Sequence, residues 1–87
     1  MNKTLAFEVT LQDIAEGLPN TCFYCPIALA LKRELNLGPR DIMVLSDKIY
    51  IKDKTYAHTK RTRTFINNFD SRESVKGGKF TIKPCKV

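Results

Sequence analysis

Leu5, Phe7, Val9 and Leu11 alternate with Ala6, Glu8 and Thr10. A period of two sends neighbouring side chains to opposite faces of an extended chain, so this segment predicts a half-buried strand. The alternation then stops. Gln12 to Gly17 reads as a single helical turn ended by its glycine, and Leu18-Pro19-Asn20-Thr21 as a loop. From Pro26 to Asn36 the apolar period lengthens, with Ile27, Leu31 and Leu35 on one helical face. Proline suits the first helical position, where its missing N–H has no intrahelical acceptor. Ala28 and Ala30 allow close approach, and Gly38-Pro39 is expected to end the helix.

Three short β-type runs follow: Ile42 to Leu45, Lys48 to Lys52, and Thr55 to Ala57. Ser46-Asp47 and Asp53-Lys54 are the expected turns of this meander. Ile49 and Ile51 should face inward, and Lys48, Tyr50 and Lys52 outward. A second helix is expected from Thr59 to Asp70, burying Thr62, Phe65, Ile66 and Phe69. After Gly77-Gly78, Lys79 to Lys83 reads as a closing strand with Phe80 and Ile82 inward and Lys79, Thr81 and Lys83 outward. The predicted class is α+β: one mostly antiparallel sheet in the order β-α-β-β-β-α-β, with two helices on one face.

Length changes little in this picture. The 87 residues make one expected domain, residues 1–87, with a modest core. Trp is absent, so Phe7, Phe65, Phe69 and Phe80 should supply the bulk. No apolar run reaches the roughly 20 residues of a membrane span, and Met1 to Thr4 lacks the apolar stretch of a secretory signal. A cytoplasmic protein without a membrane partner is therefore expected. Three Cys, an odd number, point away from a disulfide framework.

Charge changes the picture more. Fifteen Lys and Arg against nine Asp and Glu leave a formal charge of +6. That excess favours nucleic acid or an acidic protein surface as partner, although it also serves solubility. Two groups of residues could use it. Lys60, Arg61 and Arg63 crowd the start of the second helix, with Lys52 and Lys54 nearby in sequence. Cations there oppose the helix macrodipole unless an anion binds. Lys48, Tyr50 and Lys52, with Lys79, Thr81 and Lys83, would form a basic sheet face carrying an aromatic, the chemistry that holds single strands by stacking and phosphate contact. The Gly-Phe-Gly-Phe-like string of RNA-recognition sheets is absent.

Cys22-Phe23-Tyr24-Cys25-Pro26 is the most distinctive string. Its thiols could join Cys85 and His58 around a zinc ion, although tight zinc sites usually show two close pairs. They could also be small buried apolar side chains, with no cofactor at all. The string resembles the Cys-x-x-Cys of thioredoxin-like and glutaredoxin-like oxidoreductases over these five residues only. No buried strand precedes it and no suitable later proline pair accompanies it. With one His, no nucleophile–base–acid set and no phosphate-loop glycines, no catalytic residue is predicted and the chain is not expected to be an enzyme.

The succession Cys22-x-x-Cys25-Pro26-Ile27-Ala28-Leu29-Ala30-Leu31, the short Val/Ile meander, Tyr56, Phe65-Ile66-x-x-Phe69-Asp70, Val75 and Phe80 resembles a group of small uncharacterised bacteriophage-encoded proteins. The likeness spans about residues 20 to 82, and departs where Gly77-Gly78-Lys79 replaces an expected proline–aromatic pair. It implies a viral accessory protein working in the host cytoplasm and carries no mechanism. Three functions stay open: nucleic-acid binding through Lys48, Tyr50, Lys52, Lys54, Lys60, Arg61 and Arg63; an inhibitor or adaptor on a host protein; and a zinc- or thiol-dependent module.

Overall fold

The strands that bracket the chain end up side by side. A computed structural model describes residues 4–85, in the order β1 Leu5–Val9, α1 Leu11–Glu16, α2 Pro26–Leu35, β2 Ile42–Val44, β3 Lys48–Ile51, β4 Lys54–His58, α3 Lys60–Asp70 and β5 Gly78–Pro84. The reading of the N-terminus rests on Met1 to Thr4, of which all but Thr4 lie outside the described residues. The five strands form one antiparallel sheet ordered β1-β5-β4-β3-β2. The last strand is thus the middle joint, pairing β1 on one side and the β2–β4 meander on the other. The predicted α+β single-sheet class stands. The two helices expected on one face are α2 and α3; among the described residues a short third helix, α1, forms where a single helical turn is expected and packs on α2.

Local chemistry accounts for each helix end. Thr10 and Asp13 form a reciprocal capping box at α1. The same Asp13, buried, accepts from Arg33 of α2 and joins the two helices. At α2, Cys25 is the N-cap, its Sγ accepting from Ala28 N at 3.4 Å, and Pro26 follows it. This helix ends at Asn36 as its period predicts, but the residue that caps it is not Gly38. Asn36 takes the left-handed cap at φ 54, a conformation Asn tolerates, and Gly38 N instead donates to the Asp41 carboxylate. Thr59 caps α3 by accepting from Thr62 N.

Helices α2 and α3 cover one sheet face. Phe7, Val9, Phe80, Ile82, Ile49 and Ile51 point into that layer and are buried. Ala28 and Ala30, both at 0% exposure, let α2 lie close. Phe80 packs against Phe7 and Phe65, with ring centroids 6.1 and 5.2 Å away; Phe69 lies at the margin, only half buried. Gly77 is required where the chain joins the sheet, because a Cβ there would sit 2.5 Å from the Val9 carbonyl oxygen. The free sheet edges are partly occupied. Glu34 accepts from Glu8 N, Arg33 donates to Glu8 O, and Val44 N donates to Cys22 O. Capped edge groups cannot template pairing with another chain.

Candidate nucleic-acid interface

The alternation that buries Ile49, Ile51, Phe80 and Ile82 sends their neighbours to the opposite face, where no helix lies among the described residues. Register then decides which of those neighbours meet. Lys48 on β3 stands opposite Ala57 on β4, and Ala57 stands opposite Lys83 on β5. Strands are spaced about 4.8 Å apart, so the two lysine backbones lie roughly 10 Å apart across a small alanine. In the next row Tyr50 stands between Met43 and Thr55. Tyr50 is half-buried, while Lys48 and Lys83 are exposed. The result is an aromatic beside two lysines on a shallow surface. Lys79 and Thr81 extend the face toward β1, but Lys79 stands opposite Glu8, which weakens its field.

Lys52 and Lys54 are not part of this face. The β3–β4 hairpin turns at Lys52-Asp53, one residue earlier than Asp53-Lys54, with Lys52 left-handed at φ 55. Pairing of Ile42 with Ile51, and the Lys52 N to Asp41 O hydrogen bond, hold that position. Lys52 and Lys54 rim a groove of about 280 Å³ on the helix side, with Leu35, Leu37 and Tyr56.

The cations of α3 also divide. At 100° per residue, Arg61 and Arg63 are separated by about 160° around the helix axis. Lys60 and Arg61 flank a groove beside α3, and Arg61 stacks on Phe80 with its guanidinium carbon 4.6 Å from the ring centroid. Arg63 lies on the other flank, close enough to His58 to disfavour its protonation. One anion position shared by Lys60, Arg61 and Arg63 is therefore not formed.

The proposed metal ligands are not brought together. Among the described residues, no three His, Cys, Asp or Glu side chains are placed to hold one ion. Cys25 is buried, and burial pushes its thiol up to about 11, with the Ala28 N–H bond opposing only part of the effect. A neutral thiol is a poor nucleophile and must lose its proton before binding a metal. His58 is already committed: Nε2 donates to Leu45 O at 2.7 Å, and Nδ1 lies 3.0 Å from the Thr62 hydroxyl. Burial pushes the imidazole below its ordinary value, and the charge of Arg63 adds to this; the Leu45 bond and Asp47 act in the opposite direction. The neutral ring thus donates from Nε2 and accepts from Thr62. Cys22 and Cys85 are half-buried and free.

Sequence reasoning missed a second aromatic–cation cluster. Phe23 and Tyr24 meet edge to face, Arg40 lies over Phe23, and Lys32 lies 4.7 Å from the Tyr24 ring centre while donating to Phe23 O. Both aromatics lie inside the Cys-x-x-Cys string, where no periodicity marks them as surface groups. Both ion pairs among the described residues use Arg33, so the cations of the open face are not neutralised in that way. No helix among the described residues is long and apolar enough to cross a membrane.

Fold and surface together define a class: an antiparallel sheet armoured by helices on one side and presenting a basic, aromatic-bearing face on the other. Comparison with known proteins finds no matching family model, curated protein or solved structure.

Proposed function

We propose that the chain is a non-enzymatic module that binds single-stranded nucleic acid on its open sheet face. The carrying observation is Tyr50 set beside the Lys48–Ala57–Lys83 row on a face without a covering helix among the described residues. Lys48 and Lys83 would meet phosphates and Tyr50 would stack on a base. Alanine between the lysines leaves room for the backbone of the strand to pass. A duplex would suit this surface less well, because its bases are already stacked and cannot reach Tyr50. Such binding would take place in an infected host cell, which is what the resemblance to phage-encoded proteins implies.

A titration of a labelled single-stranded oligonucleotide at several salt concentrations tests the reading. Each phosphate neutralised on a single strand contributes about −0.7 to the slope of log K against log salt. Lys48→Gln and Lys83→Gln should each flatten the slope by about that amount. Tyr50→Leu should cost about 1–3 kcal/mol of binding and leave the slope unchanged. Affinity that is indifferent to salt, with a protein partner retained from nuclease-treated lysate, would replace this reading with that of an adaptor or inhibitor.

A further inference from the structure

We infer that the groove beside α3 is a separate site for a small phosphate ester carrying a planar ring, of which a mononucleotide or the phosphorylated end of a strand are two sources. The groove holds about 490 Å³, within the roughly 300–1,000 Å³ usual for small-ligand sites. It lies between α3 and the segment from Ser74 to Lys76 that leads into β5, on the helix side of the sheet. Its floor is apolar: Phe65 and Phe80, 5% and 4% exposed, meet there edge to face. Lys60 and Arg61 stand on one wall and Lys76 on the other, and none of the residues lining the groove is acidic. Thr64, Asn68 and Ser74 add neutral hydrogen-bonding groups.

Arg61 decides the ligand class. Its guanidinium is stacked on Phe80 at 4.6 Å and passes over Gly78, where a Cβ would come within 3.2 Å of Nη2. Stacking on one face holds the fork in place while its N–H edge stays free to grip phosphate oxygens in pairs. Lys60 and Lys76 would add charge from both sides, and a planar ring joined to the anion would lie on the outer face of the Arg61 guanidinium, whose inner face covers Phe80. An acidic peptide would need a longer line of cations. The start of α3 is already capped by Thr59, so recognition rests on these side chains.

NMR titration of the whole chain with uridine 5′-monophosphate, inorganic phosphate and uridine tests the site. The monophosphate should give saturable shifts at Thr64, Phe65, Asn68 and Phe80 and bind more tightly than either fragment. Arg61→Gln should weaken it about tenfold, and Arg61→Lys should recover only part of that loss. Lys48→Gln and Lys83→Gln should leave it unchanged, which keeps this site independent of the open face. A 5′-phosphorylated oligonucleotide that shifts the same residues, where its unphosphorylated twin does not, would assign the strand end as a source. Absence of saturable shifts with the monophosphate, fragments binding as tightly as the whole, or Arg61→Gln binding like the parent would each overturn the inference.

Discussion

The two faces of the sheet are built from alternate residues of the same strands, yet they answer to different demands. On the covered face Ile49, Phe80 and Ile82 are buried beneath α2 and α3, and the one imidazole there has both nitrogens paired. On the open face Lys48, Tyr50 and Lys83 have no helix above them among the described residues, and the cations form no ion pair. A substitution on the first face should therefore be read in stability, and one on the second in binding. Where the two readouts coincide, the assignment of the faces fails.

The largest effect should come from the covered face. Ile49→Ala removes a side chain at 0% exposure and should cost about 2–5 kcal/mol. Urea unfolding would show this as a lower midpoint at unchanged slope. A smaller loss should follow acidification. Because the folded protein holds His58 below its ordinary value of about 6.5, the unfolded chain takes up the proton first. Stability should be fully present above about pH 6.5 and decline as the pH falls below it, until the folded imidazole also protonates. His58→Gln, which keeps a donor for Leu45 O, should remove that slope in pH-dependent unfolding. Thr59→Ala deletes the cap of α3 and should cost about 1 kcal/mol in the same assay. The smallest stability change, within about 0.5 kcal/mol, is expected for Lys48→Gln and Lys83→Gln, although these two should weaken oligonucleotide binding.

Local periodicity explains what could be read from the chain. The alternation of Phe7 with Glu8, or Ile49 with Tyr50, states which residues share a face, and steps of three and four give the buried stripe Thr62, Phe65, Ile66 of α3. Pairing is non-local, and the placement of β5 between β1 and β4 left no mark in any short window. That placement is also what brings Lys83 next to Ala57 and Lys48, so the expected basic face gained its row of lysines only through register. Sequence proximity misled in two places. Arg61 and Arg63 are two positions apart in the chain but on opposite flanks of α3, and Lys52 is carried off the sheet by a turn one residue early. The left-handed position at Lys52 is set by neighbouring pairings, and lysine is not a residue that signals it.

The most direct test maps where an oligonucleotide touches the protein. In an amide NMR titration with a short unphosphorylated single strand, the largest shifts should fall on Lys48, Tyr50, Thr55, Ala57 and Lys83, with α2 little affected. Shifts confined to the helix layer, with Tyr50 and Lys83 unmoved, would contradict the account.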